Sequence, residues 1–135
     1  MRLFRIALCG ALLASAAATM GQARRGDVVV DVPFAFVAGK QALPAGHYIV
    51  AAIDDAHLRI FNSTTTGLYL STHGALRSTS DGSKLEFHRY GDTYFLSAVW
   101  VTGNTTGREL FRSRAERELT DRKAEMELAV VRPEK

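Results

Sequence analysis

Cysteine is almost absent from this 135-residue sequence: its one cysteine, Cys9, lies within an apolar N-terminal segment. Arg2 and Arg5 precede this segment, and small residues follow it up to Ala23. A positively charged start, a short apolar run and a small-residue end are typical of a secretory signal peptide. We therefore expect residues 1–23 to be removed during export.

Loss of this segment would remove the only thiol, so the 112 remaining residues contain no cysteine. Disulfides, thiol catalysis and thiolate metal sites are then excluded, although the compartment is oxidising. The apolar run, residues 6–18, is also shorter than the roughly 20 residues that a transmembrane helix requires, so we expect no membrane anchor after cleavage. The sequence thus predicts a secreted or periplasmic protein, with cleavage after Ala18 as the alternative to cleavage after Ala23.

The expected mature chain also lacks an excess of charge of either sign. Two of the 17 basic residues and none of the 14 acidic residues belong to the signal segment, which leaves a net charge of +1. Nucleic-acid binding would need Lys and Arg clustered on one face, so the high isoelectric point of the whole chain gives no support to it. A chain of this length forms one hydrophobic core, and we expect a single domain over residues 24–135.

From Val28 onward, the sequence carries apolar residues at every second position. β-Branched and aromatic residues with this period predict strands, although Pro33 indicates a bend in the first of them. Turn signals such as the one at residues 43–46 separate the strands at meander-like spacing. We therefore expect a mainly β fold, a small antiparallel β-barrel or sandwich of about six to seven strands with one C-terminal helix.

The clearest local prediction is a hairpin over residues 84–102, with Gly91 and Asp92 as a two-residue loop. Glycine at the first loop position supplies the positive φ of a type II′ turn. The second strand of this hairpin is apolar on both faces, so we expect the C-terminal segment to cover its outer face. The predicted cross-strand pairs are Phe87/Leu96 and Leu85/Ala98 on the core face, and His88/Phe95, Glu86/Ser97 and Lys84/Val99 on the other face.

A C-terminal helix is predicted to start after Ser113, because Ser113 and Glu116 have the spacing of a capping box. We expect the helix to run over about residues 114–123 and to bury a narrow apolar side that includes Ala115 and Leu119. The alternating charges around it are typical of a solvated face. Residues 124–131 are compatible with helix, but their alternation favours a short strand or an extended tail.

Four stretches of the chain, all within residues 28–119, carry a combined pattern. They are Val32-Pro33-Phe34-Ala35-Phe36, Leu43-Pro44-Ala45-Gly46-His47-Tyr48, residues 87–96, and residues 107–119 with Gly107-Arg108-Glu109-Leu110 at their start. In these stretches the chain resembles a family of short exported β-rich proteins of soil bacteria. The resemblance implies export and a compact β-domain with a C-terminal helix. It implies no activity, cofactor or site residue, because none is established for such proteins.

The histidines of the expected mature chain suggest a metal-site hypothesis, since imidazole binds zinc, copper and nickel. The pair that we consider is His73 and His88, with Asp92 or Glu86 nearby. No two histidines have the i, i+2 or i+4 spacing of a ligand pair, so scattered surface histidines are the simpler interpretation and no cofactor is expected. The four histidines are His47, His57, His73 and His88.

The sequence contains the residue types of a catalytic triad, with Ser71 or Ser97 as nucleophile, His88 as base and Asp92 as acid. No serine lies in a G-x-S-x-G motif, and His88 and Asp92 flank a hairpin loop. Chains with many serines and four histidines allow such combinations by chance. We therefore expect a protein that is not an enzyme.

An aromatic cluster at the hairpin loop is the candidate ligand site, with Arg89, Tyr90 and Tyr94 as its contact residues. Packing of the same side chains in the core is the competing interpretation. The leading hypothesis is an exported, non-enzymatic β-domain that binds a protein or a cell-surface component. Binding of a sugar or a small apolar molecule is the alternative, and a His-based metalloprotein or a small hydrolase comes after it.

Overall fold

The computed structural model describes residues 27–63, 67–76, 82–102 and 106–133. Over these residues the chain forms ten strands and one helix, which confirms the mainly β class and the C-terminal helix. The predicted signal peptide, residues 1–23, lies outside the described residues. The elements are β1 (Val28–Val32), β2 (Phe36–Ala38), β3 (Gln41–Leu43), β4 (Gly46–Ala52), β5 (His57–Phe61), β6 (Leu68–Leu76), β7 (Lys84–Tyr90), β8 (Thr93–Trp100), β9 (Thr106–Leu110), α1 (Arg114–Asp121) and β10 (Glu127–Val131).

The ten strands form one mixed sheet that is not closed. Its main path is β1-β4-β5-β6-β9-β8-β2-β3, while β7 pairs with β8 and with β10. Paired neighbours are antiparallel except β2 and β8, which are parallel where Val37 meets Phe95. The structure has more strands than the six or seven expected. One reason is that the expected first strand is interrupted at Pro33, so β1 and β2 are separate short strands. In addition, the polar strand β9 lacks the apolar alternation that would have predicted it.

The sheet curls around a hydrophobic core. Val30 of β1 and Phe87 of β7 lie near opposite ends of the sheet, yet both belong to the same buried cluster. Cα atoms of β1 and β10 approach within 8 Å, although the described residues of these two strands do not pair. Phe36 packs edge to face against Phe87 and against Tyr48, with ring centroids 5.3 Å apart in both pairs. Burial of each such phenylalanine stabilises the fold by about 1.5–3 kcal/mol.

The hairpin of β7 and β8 has the predicted loop and, near that loop, the predicted register. Gly91 has a φ of 61°, a left-handed conformation that glycine adopts without strain. Phe87 pairs with Leu96, and His88 pairs with Phe95, as expected. The alternation of side chains therefore predicts the pairing correctly as far as residue 87.

A β-bulge shifts the register beyond this point. Phe87 pairs with Leu96 whereas its neighbour Glu86 pairs with Ala98, so Ser97 is the extra residue. Because a bulge breaks the alternation, Ser97 and Ala98 both lie on the outer face, opposite the core. The other predicted pairs are wrong for the same reason: Leu85 pairs with Val99, and Lys84 pairs with Trp100.

The helix begins as predicted and ends early. Ser113 is the N-cap, and its Oγ accepts a hydrogen bond from the backbone N–H of Glu116 at 3.2 Å. The helix stops at Asp121, with Arg122 as the C-cap. The predicted apolar side is correct only in part, because Leu119 is half-buried whereas Ala115 is exposed. The buried residue of the helix is Glu116, so its most deeply buried side chain is a carboxylate.

The C-terminal segment confirms the strand that the alternation favoured. Residues 127–131 form β10 along the edge of β7, where Ala129 pairs with Phe87. Leu128 and Val130 are exposed on the outer face. Among the described residues, no helix is both long and apolar enough to cross a membrane.

Candidate functional site

A chain of hydrogen-bonded polar side chains lies on the outer face of the sheet, where α1 meets the hairpin. The Ser97 Oγ lies 3.0 Å from the His88 Nε2, and the His88 Nδ1 lies 2.5 Å from the Glu116 Oε1. The Tyr90 hydroxyl donates to the same Glu116 oxygen at 3.0 Å. We call these four residues the Glu116 network. It exists because alternation along β7 and β8 places Ser97, His88 and Tyr90 on the outer face, and because Glu116, which follows the Ser113 cap, is buried against that face.

The Glu116 network holds a buried negative charge. An ionised carboxylate can only accept hydrogen bonds, so the His88 Nδ1 carries the proton of their shared bond. Burial is the largest single influence on the pKa of the Glu116 carboxyl and raises it, whereas the hydrogen bonds with His88 and Tyr90 lower it. Electrostatic interactions with His88 and Arg112 also lower this pKa, and the lowering effects together outweigh burial, so the pKa lies below its usual range. The folded protein therefore favours the ionised form of Glu116.

The connectivity of Ser97, His88 and Glu116 is that of a serine–histidine–carboxylate triad. The acid is Glu116, whereas the sequence offered Asp92, which lies exposed in the hairpin loop. Ser71 belongs to β6 and has no part in this network. The exposed fraction of Ser97 is 7%, and the side chain of Glu116 is 5% exposed. A nucleophile must reach a substrate carbonyl, so this arrangement is better suited to fastening α1 onto the hairpin.

A cavity of about 930 Å³ opens beside the start of α1. It lies between the turn of β2 and β3, the first residues of β6, and the segment that leads from β9 into α1. The lining residues are 39–42, 68–71, 110–114 and Arg117. We call this cavity the cationic groove, because the described residues of its lining include four basic residues and no acidic residue.

The basic residues of the cationic groove are largely without counter-charges. Lys40, Arg112 and Arg117 have no carboxylate oxygen within 4.0 Å among the described residues. Arg114 forms one exposed ion pair, in which its Nε lies 3.3 Å from the Glu118 Oε1. Basic side chains that converge on one concave surface produce a positive potential there and attract anions.

The cationic groove also has an apolar part. Tyr69 and Phe111 are large apolar residues that remain 66% and 62% exposed. The Phe111 ring contacts the ring of His73, with 4.9 Å between centroids. Leu68, Leu70 and Leu110 complete the apolar part of the lining. The groove can therefore contact both a negative charge and an apolar group of one ligand.

The structure brings together two of the three residues predicted to contact a ligand. Arg89 and Tyr94 are cross-strand partners, with the guanidinium carbon 5.5 Å from the ring centroid. Tyr94 also stacks on Phe34, with centroids 3.7 Å apart, so one face of its ring is occupied. Tyr90 lies on the opposite face of the hairpin, within the Glu116 network. Ligand contact at the loop stays a prediction.

The two histidines predicted to share a metal are far apart. His73 is in β6 and His88 is in β7, and β9 and β8 lie between these strands. Three strand spacings correspond to roughly 14 Å, which does not favour one ion between the two histidines, and their shared metal site stays a prediction. The described residues contain no group of three or more His, Cys, Asp or Glu that could hold a metal. The other histidines form exposed pairs, His47 with Asp31 and His57 with Asp54.

Sequence reasoning missed the cationic groove. Arg112, Arg114 and Arg117 alternate with acidic residues along the chain, which suggested a solvated face. The available signal was the close spacing of three arginines around a helix start. Lys40 comes from a turn about 70 residues earlier, and only the sheet topology brings it to the same cavity.

Comparisons with protein-family models, with curated proteins and with solved structures gave no match. The expected relation to short exported β-rich proteins of soil bacteria therefore stays a prediction. The Glu116 network and the cationic groove are therefore the features of the chain that bear on its function.

Proposed function

We propose that the protein is an exported, non-enzymatic domain that binds an anionic partner in the cationic groove. The observation that carries this proposal is the convergence of four basic side chains on one cavity, to whose lining the described part of the chain contributes no carboxylate. Basic and acidic residues are nearly equal in number outside the predicted signal peptide. The groove is therefore a local concentration of charge, not a consequence of a basic chain.

The chemistry of the groove defines the kind of partner. Arginine presents a planar fork that binds a carboxylate or phosphate through two parallel hydrogen bonds. Arg117 is available to do so, because it is paired with no described carboxylate, and Arg112 forms no ion pair within 4.0 Å although it interacts electrostatically with Glu116. Tyr69 and Phe111 offer aromatic surface for an apolar portion. These features favour a carboxylated or phosphorylated component of another protein or of the cell surface.

The same proposal includes the finer architecture and the destination. The curled sheet, whose end strands β1 and β10 approach without pairing through their described residues, supports an incompletely closed β-barrel in preference to a sandwich. The N-terminal sequence supports export to the periplasm or beyond the cell. A groove on the outside of such a sheet is accessible to a large partner.

Calorimetric titration of the purified protein with oligoglutamate, oligogalacturonate and oligophosphate at low salt tests this function. We expect at least one of these anions to bind, with an affinity that falls as salt is added. The double variant Lys40→Gln/Arg117→Gln should bind at least tenfold more weakly, since it removes two unpaired lining charges. The matched control is Arg122→Gln/Lys123→Gln, which removes the same two residue types outside the groove. Absence of binding, or equal binding by the two double variants, would refute the proposal.

The triad-like geometry of Ser97, His88 and Glu116 favours a second function, acyl transfer. A fluorophosphonate reagent distinguishes the two, because it labels serines that a histidine activates. We expect Ser97 to remain unlabelled, since its hydroxyl is buried. Stoichiometric labelling that is lost in His88→Ala, in a variant shown to be folded, would establish a hydrolase and overturn the non-enzymatic proposal.

A further inference from the structure

Two open strand edges border the cationic groove. β3 pairs with β2 and with no other strand among the described residues. Residues 68–71 of β6 pair with β5 on one side, whereas pairing with β9 on the other side begins only at Thr72. Both open edges belong to the lining of the same cavity. The groove thus lies between the open edge of β3 and the open edge at the start of β6, beside the contact of Gly39 with Leu70, and we call this space the gap.

The backbone groups of β6 show which residues face this gap. The Thr72 N–H donates to the Ala56 carbonyl at 2.7 Å, on the β5 side of the strand. Because the direction of N–H and C=O groups alternates along an antiparallel strand, Tyr69 and Ser71 direct theirs to the other side, toward the groove. Two residues of β6 therefore offer hydrogen-bond donors and acceptors to an occupant of the gap.

β3, on the opposite side of the groove from β6, also directs backbone N–H and C=O groups toward the gap. Ala38 and Gln41 are the pair that closes the two-residue turn of β2 and β3. In such a hairpin the closing pair exchanges hydrogen bonds, so the next residue, Ala42, directs its N–H and C=O away from β2. An extended segment placed in the groove would find backbone partners on both sides.

The charges of the groove lie on one face of this gap. The Glu116 network holds α1 on the outer face of the sheet, and Arg114 and Arg117 are carried by α1. Tyr69 and Ser71 are exposed on that same face, whereas Leu70 points into the core. Side chains of a strand alternate between faces, so every second residue of an added strand would meet the basic side chains.

We infer that the partner is an acidic, extended polypeptide segment that adds a strand between β3 and β6, with carboxylates at alternate positions. This inference rests on the proposed binding of an anion in the groove and names its partner class. Strand addition at an open edge is an established mode of peptide recognition. The N-terminal residues 1–26 of the chain itself do not fit, because they contain four arginines and no acidic residue.

The test uses the peptide Thr-Glu-Val-Glu-Thr-Glu-Val-Glu, labelled with fluorescein, and the same peptide with every second backbone nitrogen methylated. Methylation keeps the charge but removes N–H donors. We expect the first peptide to bind at low salt and the methylated peptide to bind at least tenfold more weakly. Binding should also slow the hydrogen exchange of the Ala42, Tyr69 and Ser71 amides.

The other possible results separate a failure of strand addition from a failure of anion binding. Equal binding of both peptides, or binding without slower exchange at these amides, would overturn strand addition and leave anion binding intact. Binding of oligogalacturonate but of neither peptide would also overturn it and identify a polysaccharide partner. If no anion binds, the proposed function fails together with this inference.

Discussion

The Glu116 network and the cationic groove meet at α1, and they differ in whether their charged side chains are buried with partners or exposed without them. In the Glu116 network, one buried carboxylate has hydrogen bonds from His88 and Tyr90. In the cationic groove, Lys40, Arg112 and Arg117 lie at the surface without a carboxylate partner among the described residues. The first arrangement holds the helix in place, and the second is left available for a ligand.

The difference follows from the cost of removing a charge from water. A buried ion that lacks partners destabilises a fold by several kcal/mol, so burial is tolerated only with hydrogen bonds and counter-charges. Exposed arginines are solvated and cost little when they are unpaired. Arg112 links the regions, because it lines the groove and its charge also lowers the pKa of Glu116. Mutations in the two regions should therefore affect different properties.

The largest effect is expected for Glu116→Ala. It leaves the partners of a buried carboxylate unsatisfied, and we expect the free energy of unfolding to fall by about 3–5 kcal/mol. Urea denaturation measures this change. Glu118→Ala is the matched control on the same helix, because Glu118 forms only an exposed pair and should change stability by less than about 1 kcal/mol. Similar small losses in both variants would refute the structural role of Glu116.

The next effect concerns the packed layer on the same outer face. A Cβ atom added at Gly107 would lie 2.4 Å from a ring carbon of Trp100. Gly107→Ala should therefore destabilise the fold by about 1–3 kcal/mol through overpacking. Gly74→Ala serves as the control in the paired strand, since the nearest described atom to its added Cβ would be a Thr106 methyl carbon at 3.7 Å. A thermal unfolding midpoint that is equal in the two variants would contradict this packing.

A smaller effect should follow from acid. The pKa of Glu116 is held below its usual range in the folded state, so its contribution to stability is fully present above the unfolded pKa of about 4.3. That contribution is lost as the pH falls through the lower folded value. Unfolding measured in urea between pH 6 and pH 2 should show a steeper loss for the wild type than for Glu116→Gln. Parallel curves would show that Glu116 is not the group responsible.

The smallest effect on stability is expected in the groove. Lys40→Gln/Arg117→Gln removes two exposed, unpaired charges and should change the free energy of unfolding by no more than about 0.5 kcal/mol. A loss above 2 kcal/mol would show that these side chains support the fold and are not reserved for a ligand. The same denaturation assay that detects Glu116→Ala makes this comparison direct.

Local signals predicted the parts of the fold that depend on neighbours in the chain. The glycine at position 91, the pairing of Phe87 with Leu96 and the N-cap at Ser113 were all predictable in this way. The alternation of apolar and polar residues does not indicate the bulge at Ser97, so every predicted cross-strand pair beyond the bulge was wrong. The burial of Glu116 was equally hidden, because its partners lie 26 to 28 residues away along the chain.

The candidate site was hidden for a related reason. The turn that carries Lys40 and the helix that carries Arg117 meet only because β2 and β9 share one edge of β8. The spacing of Lys40 and Arg117 along the chain does not indicate that they line the same cavity. The predicted ligand residue Tyr90 was instead taken up by the Glu116 network, since alternation places it on the face that α1 covers.

The most direct test measures binding and stability together in Lys40→Gln/Arg117→Gln and in Glu116→Gln. We expect the first variant to unfold like the wild type and to lose at least tenfold in affinity for the alternating acidic peptide. The second should unfold more easily and yet bind the peptide with wild-type affinity while folded. Wild-type affinity in Lys40→Gln/Arg117→Gln would contradict the claim that the cationic groove is the binding site.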